Sequence, residues 1–334
     1  MVPACSSETA DTPSVTSAGA SGSTSTTSTA GPTGTSGSGG TDGAGGTGGT
    51  DTIGGSGGSA SGAPDAASND RPDAQTPAQD GGATKPTDPS AGCGKAAGQQ
   101  LATYVQKTLG TTKRVYQLYI PDGYDSMRAY TTVFLGHGCT DNGAPFPIEK
   151  ESKTDAIVIA MKSAGACFDY AQEGPDVMYF DQLLAEVSAN YCVNKKRVFV
   201  AGFSSGSWMS HTLGCDRAGI IRGQGNASGN QRNLMNCKGP IAAMFSHDIN
   251  DTTNTYAKAQ IARDRILKQN GCSMTETDPY DYDGDPATPS PCVQYRNCMP
   301  GYPVVWCPTK ANGNAHNNQV PISTVGFWRF WSNL

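Results

Sequence analysis

The chain has 334 residues, a formal net charge of −5 and a hydrophobic fraction of 36%. Its acidic residues are spread along the chain and its basic residues form no stripe, which argues against a nucleic-acid-binding protein. It contains no run of about 20 apolar residues, so we expect no membrane-spanning helix.

The N-terminal quarter of the chain differs in composition from the rest. Residues 6–92 are mostly Gly, Ser, Thr, Ala, Pro and Asp, and neither a leucine nor an aromatic residue precedes Leu101. Such a segment cannot bury enough apolar surface to offset the chain entropy lost on folding. We therefore predict a disordered Gly/Ser/Thr-rich tail over residues 1–92 and one folded domain over residues 93–334.

Apolar and alternating segments in the folded part predict strands separated by helices. Strands are expected at 114–120, 131–136, 156–161, 197–202, 241–246 and 302–307, the first of them at an edge of the sheet. Helices are expected from Pro175 onward, over 256–270 with Gly271 as the stop signal, and over 323–330. The alternation favours an α/β fold with a mostly parallel sheet flanked by helices.

One acidic, proline-rich stretch, residues 273–291, is predicted to be a surface loop. Its DYDGD segment (281–285) resembles the start of a calcium-binding loop, but Cys292 stands where such loops carry glutamate. We interpret the segment as a solvated loop and expect no metal site.

The eleven cysteines indicate the compartment in which the protein works. Ten of them lie between Cys93 and Cys307, and so many cysteines in one domain favour an oxidising, exported compartment. None of them forms a C-x-x-C pair, which argues against a zinc site or a thiol redox site. The start MVPACSS lacks the charged and apolar regions of a signal peptide. We expect that the sequence begins inside a longer export signal and that VPAC ends a bacterial lipobox, with a lipidated Cys5 as membrane anchor. The alternative is a secreted protein with an incidental Cys5.

A G-x-S-x-G pattern, Gly202-Phe203-Ser204-Ser205-Gly206, follows an apolar strand and precedes a predicted helix. This context is typical of the nucleophile elbow of α/β-hydrolase folds, in which a strained turn lifts the serine hydroxyl above the sheet. The alternative is a plain Gly/Ser turn. We predict an α/β-hydrolase fold with Ser204 as the nucleophile.

A serine nucleophile needs a base, and the chain has four histidines. His211 falls within the helix after the elbow and cannot fold back to the serine. For His247, no suitable acidic residue lies between it and Ser204 in the sequence. We predict His316, in the loop after the last strand, as the base.

In this fold the acid lies between the serine and the histidine in the sequence. The segment SHDINDTTNTY after the 241–246 strand offers Asp248 and Asp251. We favour Asp251, deeper in the loop, over Asp248. Its role is to orient the imidazole.

The oxyanion of an acyl-transfer reaction needs two backbone N–H donors. One is expected from Ser205, the residue after the nucleophile, and the other from Cys139, in the loop that ends the 131–136 strand. His137 is then structural, and the side chain of Cys139 is expected to be buried or disulfide-bonded.

The folded part resembles the extracellular esterases that comprise feruloyl esterases, acetylxylan esterases and polyhydroxybutyrate-type depolymerases. The matching segments are AGCGK, YIPDGYD, HGC, NYCVNKKRVFVAGFSSGSWMS, ARDRILKQNGC and YPVVWC. They run in family order from Cys93 to the C-terminus. GCGK and the segments towards the C-terminus are most like the feruloyl-esterase branch. Asp248 and the ACFDY segment depart from the family pattern, in which a glycine and a tryptophan are usual.

The resemblance implies that Ser204, Asp251 and His316 occupy triad positions and that no metal or organic cofactor is needed. It implies a secreted or surface-anchored serine esterase acting through an acyl-enzyme on phenolic esters of plant polysaccharide. Polyhydroxyalkanoate or acetylxylan esters are the alternative substrates. Two rival hypotheses are a serine peptidase and a non-catalytic surface binding module on the same fold. The oligomeric state is not predicted.

The elbow also suggests one disulfide. A rising strand after Cys192 and a descending helix before Cys215 bring both cysteines to the bottom of the sheet, so a Cys192–Cys215 bond is expected.

Overall fold

The structure is a computed structural model that describes residues 86–230, 234–311 and 313–334. The predictions for the tail and for Cys5 concern residues 1–85 for the most part and lie outside this description. Within the described ranges the chain forms the strands β1 (Tyr104–Thr108), β2 (Val115–Tyr119), β3 (Tyr130–Gly136), β4 (Ala156–Met161), β5 (Val193–Phe203), β6 (Gly223–Ala227), β7 (Ala242–Asp248), β8 (Thr277–Pro279), β9 (Val293–Tyr295) and β10 (Val304–Thr309). The helices are α1 (Ile148–Ser152), α2 (Pro175–Asn190), α3 (Ser205–Asp216), α4 (Tyr256–Gln269) and α5 (Phe327–Ser332), with a π-helical turn over Ile322–Gly326.

The strands form one sheet in the order β1-β2-β4-β3-β5-β6-β7-β10-β9-β8. The six strands from β4 to β10 in this order pair in parallel. Antiparallel hairpins complete the sheet at both ends, since β2 pairs antiparallel with β1 and β4, and β9 pairs antiparallel with β8 and β10. The predicted α/β fold with a mostly parallel sheet is confirmed.

Helices cover both faces of the sheet, which explains why β4 is apolar throughout and β3 is mostly apolar. Every residue of β3 is buried, and its side chains alternate between two cores. Phe134 points into the core shared with α2, α3 and α4, whereas Val133 and Leu135 point into the core shared with α1 and α5.

Strand β6 was missed by the sequence prediction because its five residues, GQGNA, carry no apolar run. They are nevertheless all buried. The small residues have a packing reason, since a Cβ atom on Gly225 would lie only 2.6 Å from the ring of Phe327 at the start of α5. The small residues of β6 are therefore explained by the close approach of α5 to the sheet and not by a hydrophobic pattern.

Two further expectations about the elements need correction. The 114–120 segment is not an edge strand, because β1, which carries no strong strand signal, covers it on the outside. The last helix starts at Phe327 rather than at residue 323, since the preceding residues form the π-helical turn. The predicted helices at Pro175 and Tyr256 are confirmed, and Gly271 has the positive φ of +66° expected of a helix stop.

The expected Cys192–Cys215 disulfide is wrong. Cys192 bonds to Cys93 and Cys215 bonds to Cys237. Residues 88–92, assigned to the tail by composition, run beside the start of β5, where the backbone N–H of Ser90 donates to the carbonyl of Val193 over 2.9 Å. This segment brings Cys93 to Cys192, a contact that no strand or helix length could reveal.

The remaining disulfides tie down loops. They join Cys139 to Cys167, Cys272 to Cys298 and Cys292 to Cys307. The 273–291 stretch contains the short strand β8, and in its DYDGD segment the carboxylate of Asp281 accepts the backbone N–H groups of Asp283 and Gly284. In the described ranges, no three His, Cys, Asp or Glu side chains gather as metal ligands. None of the helices described is long and apolar enough to cross a bilayer.

Candidate active site

Ser204 occupies a sharp turn between β5 and α3. Its backbone has φ +52° and ψ −112°, a conformation that costs a non-glycine residue on the order of 1–3 kcal/mol. The two glycines of the pattern let three backbones meet. A Cβ atom on Gly202 would overlap the backbone of Gly206, and one on Gly206 would overlap the carbonyl of Gly136 at the end of β3. The G-x-S-x-G pattern is therefore required by close packing at the strained turn.

The three side chains predicted to form the triad lie together. Nε2 of His316 is 3.0 Å from Oγ of Ser204, and Nδ1 of His316 is 2.8 Å from Oδ2 of Asp251. Asp251 is completely buried at its side chain, whereas the His316 side chain is 20% exposed. The result is a continuous chain of hydrogen-bonding atoms from a buried carboxylate to the hydroxyl of a serine that is only 5% exposed.

The Asp251 carboxylate is held by its own turn. Its Oδ1 atom accepts the backbone N–H groups of Thr253 at 2.9 Å and Asn254 at 3.0 Å. The side chain of Asn254 in turn donates to the carbonyl of Ser228 over 2.7 Å. Because Oδ1 is occupied in this way, Oδ2 is directed at His316.

Asp248, the alternative acid, binds backbone N–H groups and not the His316 imidazole. Its Oδ2 atom accepts the backbone N–H of Ala311, and its Oδ1 atom accepts that of Asn250 at 2.8 Å. The Asp248 carboxylate thus holds the start of the loop that carries His316 and makes no contact with the imidazole itself. A second bond, from Oγ of Ser228 to the carbonyl of Asn317 over 2.6 Å, holds the far side of the same loop.

The loop predicted to supply an oxyanion donor follows β3. The backbone N–H of Gly206 donates to the carbonyl of His137 over 2.9 Å, which docks this loop on the first turn of α3. Among the described residues, the backbone N–H groups of Cys139 and Ser205 have no acceptor within the protein. The side chain of Cys139 is bonded to Cys167, so it is not a reactive thiol.

His137 has a structural place in that loop. Its Nε2 accepts the backbone N–H of Ser163 at 3.2 Å, which leaves the hydrogen on Nδ1, 2.6 Å from the carbonyl of Gly138. The ring is 2% exposed. It connects the loops after β3 and β4 at the edge of the sheet.

Two aromatic side chains lie at this same edge. Tyr170, in the loop after β4, is 44% exposed, and its ring meets that of Trp208 edge to face at 6.0 Å. Trp208 is one turn into α3, and its backbone N–H donates to the carbonyl of Ser204 over 3.1 Å. Its indole Nε1 donates to Oδ1 of Asn254 over 3.2 Å. The pair forms an aromatic wall beside the serine and the Asp251 turn.

The other two histidines lie in the interior. Burial lowers the pKa of His211 to about 3, and neither of its ring nitrogens has a hydrogen-bond partner in the described part of the chain. Burial also lowers the pKa of His247, although the carbonyl of Asn254 and the charge of Asp251 oppose the effect. His211 is remote from the serine, as expected, but His247 contacts the Asp251 turn.

Comparison with curated proteins identifies the family. The chain is 32% identical over 196 residues to a probable feruloyl esterase C of Aspergillus niger, covering 55% of this chain and 70% of that protein. It is 30% identical over 200 residues to feruloyl esterase C of Emericella nidulans, covering 56% and 71%. The chain belongs to the feruloyl esterase family. Feruloyl esterase D of Neurospora crassa is 28% identical over 272 residues, covering 74% of this chain and 91% of the relative.

This feruloyl esterase family member is accordingly a serine carboxylic ester hydrolase. No protein-family model matches the chain. Among solved structures, an acetyl xylan esterase from Aspergillus awamori has a TM-score of 0.55 at 15% identity, covering 70% of this chain and all of the other. That likeness supports the α/β-hydrolase fold.

Sequence reasoning about this chain missed three contributors to the site. Asn254 and Ser228 hold the Asp251 and His316 loops in place, and the indole of Trp208 donates to Asn254. Position 208 carried a usable signal, because a residue in the first turn of the helix after the elbow lies at the same edge of the sheet as the serine. The sequence around Ser228 gave no such signal, because Ser228 follows β6, a strand that was not predicted.

Proposed function

We propose that this chain is an exported esterase that hydrolyses feruloyl esters of plant polysaccharide through an acyl-enzyme. The observation that supports the mechanism is the chain of hydrogen-bonding atoms from Asp251 through His316 to Ser204. Ser204 is the nucleophile, His316 the base, and Asp251 the residue that orients and stabilises the imidazole.

In the first half-reaction Oγ of Ser204 attacks the ester carbonyl carbon and its proton passes to Nε2 of His316. The carbonyl oxygen becomes an oxyanion, for which the free N–H groups of Ser205 and Cys139 are the donors. The carbon–oxygen bond to the alcohol then breaks, and the alcohol leaves with the proton from Nε2. The product is an acyl-serine, and the imidazole is neutral again.

In the second half-reaction water attacks the acyl carbon and gives one proton to Nε2 of His316. The bond to Oγ breaks, Oγ recovers that proton, and the carboxylic acid is released. No step requires a metal ion or a redox partner. The positive charge that appears twice on His316 is compensated each time by the buried carboxylate of Asp251.

The substrate class is supported by the names of the relatives and by the aromatic wall. The matched proteins are called feruloyl esterases C and D. A phenolic acyl group presents a flat ring, which pairs well with the exposed ring of Tyr170 and the indole of Trp208.

Export is supported by the cysteines. Five disulfides use all ten cysteines from Cys93 to Cys307, and such bonds persist in oxidising compartments. The lipid anchor at Cys5 stays a prediction, because that residue is outside the described ranges and the comparisons give it no support.

The test is hydrolysis of methyl ferulate, p-nitrophenyl acetate and a short hydroxybutyrate oligomer by the purified, oxidised full-length chain. We expect turnover of methyl ferulate that disappears in the Ser204→Ala variant. Thr131→Ala, with its hydroxyl at the opposite end of the sheet, is the matched control and should keep the wild-type rate.

The other outcomes separate the rival hypotheses. Turnover of only the acetate or the oligomer would retain the mechanism and contradict the feruloyl substrate. A folded protein that hydrolyses none of the three and is not labelled at Ser204 by a fluorophosphonate would refute the esterase proposal and favour a non-catalytic binding module. Labelling without ester turnover, together with cleavage of peptides, would favour a peptidase.

A further inference from the structure

His247 contacts the same carboxylate oxygen as His316, although the proposed reaction does not use it. Its Nε2 atom lies 3.5 Å from Oδ2 of Asp251, whereas Nδ1 of His316 lies 2.8 Å from that oxygen. The side chain of His247 is 2% exposed and that of Asp251 is fully buried. One buried carboxylate oxygen therefore faces two imidazole rings.

The hydrogen on His247 can be assigned from its partner. Nε2 lies 2.7 Å from the backbone carbonyl of Asn254. A carbonyl oxygen only accepts hydrogen bonds, so Nε2 carries the hydrogen and donates it. This bond joins the end of β7 to the turn whose N–H groups hold Oδ1 of Asp251. His247 thus stabilises the turn whose backbone N–H groups hold the Asp251 carboxylate in place.

The charges around His247 decide its protonation state. Burial lowers the pKa of its imidazole, with a further lowering from His316, while Asp251 and Asp248 act in the opposite direction. From α3, His211 lies near enough for His247 to contribute to the lowering of its pKa, and the ring of Tyr256 on α4 lies 6.2 Å from that of His247. Its neighbour across the sheet on β10, Pro308, carries no charge. His247 is therefore neutral at neutral pH.

A proton on His247 would oppose catalysis. It would place a second positive charge beside the carboxylate that must compensate the imidazolium of His316. In a buried site such like charges interact strongly. Neutral His247 therefore stabilises the Asp251–Asn254 turn, whereas protonated His247 would weaken the interaction between Asp251 and the His316 imidazolium.

We propose that His247 is a positioning residue for the ester hydrolysis. Its neutral Nε2–H group locks the Asp251–Asn254 turn, and its protonation at acid pH switches the site off. The inference rests on the proposed function, because it requires His316 to act as the base.

The test compares His247→Phe and His247→Gln with the wild-type full-length chain on p-nitrophenyl acetate across an acid pH range. Loss of the Nε2–H donor in His247→Phe should lower kcat on the order of 10- to 100-fold with little change in KM. His247→Gln keeps an N–H donor and should recover most of kcat. In the wild type, log(kcat/KM) should fall at its acid end more steeply than one proton allows, whereas His247→Gln should show a one-proton slope.

Thr131→Ala is the control, since its side chain is buried at the opposite end of the sheet, where its hydroxyl accepts from Arg197, and its kcat should equal that of the wild type. Wild-type kcat in His247→Phe would overturn the inference. So would equal losses in both His247 variants with an unchanged pH profile, because that result indicates a purely structural role.

Two further outcomes are decisive. If His247→Phe does not fold, the acid slope of His247→Gln decides: a one-proton slope supports the inference and the wild-type slope overturns it. A wild type without any Ser204-dependent turnover would refute the proposed function together with this inference, whereas an active wild type beside an unaffected His247→Phe would refute this inference alone.

Discussion

Nε2 of His316 lies 3.0 Å from Oγ of Ser204, although 112 positions separate the two residues in the chain. Ser204 follows β5 and His316 lies in the loop after β10, and both strands belong to the parallel part of the sheet. The carboxyl ends of parallel strands share one edge, so residues that follow different strands meet there. Proton transfer between the two atoms needs no rearrangement of either loop.

The two carboxylates of the SHDIND segment should differ in their effect on activity. Asp251→Asn removes the charge that orients and stabilises the His316 imidazole, and kcat on p-nitrophenyl acetate should fall on the order of 10³- to 10⁴-fold. Asp248→Asn keeps an oxygen that can accept the Ala311 N–H, and its kcat should fall by about tenfold at most. Equal losses in the two variants would contradict the assignment of roles.

The close approach of Gly206 to β3 should make this position intolerant of a methyl group. Gly206→Ala places a Cβ atom on the carbonyl of Gly136 and should lower the free energy of unfolding by about 3 kcal/mol or more. Gly219→Ala is the control, because no atom lies within 4 Å of a Cβ there. Denaturant unfolding of both variants measures the difference, and a Gly206→Ala protein as stable as the control would show the prediction to be wrong.

His211 should make the fold sensitive to acid. Burial lowers its pKa to about 3 in the folded state, well below the value of about 6.5 of an exposed histidine. Between these two values the unfolded chain binds a proton that the folded chain does not. The free energy of unfolding therefore falls as the pH falls through this window, by about 1.4 kcal/mol per pH unit from this group.

His211→Leu removes that proton linkage together with two ring nitrogens that lack partners. Its stability near neutral pH should equal or exceed that of the wild type, and its decline between about pH 6 and pH 4 should be shallower. Denaturant midpoints across this pH range measure the slope. Parallel curves for the two proteins would mean that another group carries the acid sensitivity.

The aromatic wall should discriminate between substrates. Tyr170→Ala removes the exposed ring and should lower kcat/KM for methyl ferulate about tenfold, or ~1.4 kcal/mol, while p-nitrophenyl acetate is affected little. Tyr170→Phe keeps the ring and should behave like the wild type on both substrates. A matching loss on both substrates in Tyr170→Ala would instead indicate a disturbed serine, since the tyrosine packs on Trp208 next to the elbow.

Local patterns in the sequence were sufficient for the central strands and for the elbow. Residues 133–135 and 156–161 are apolar because both faces of their strands are covered, and this pattern can be read without knowing which strands lie alongside. The Gly202-to-Gly206 pattern could also be interpreted locally, because the turn has no room for a Cβ atom at either glycine. The choice of His316 needed only the small number of histidines and the order of elements.

By itself the sequence determined the elbow serine, the α/β class and a short set of candidate partners, because each depends on residues close together in the chain. The tertiary structure alone decided the disulfide of Cys192 with Cys93, the position of β6, and the different tasks of Asp248 and Asp251. These depend on which segments pack side by side. Two carboxylates three positions apart look alike in sequence, but one meets the Ala311 N–H and the other a histidine, since hydrogen-bond partners are chosen by proximity in space.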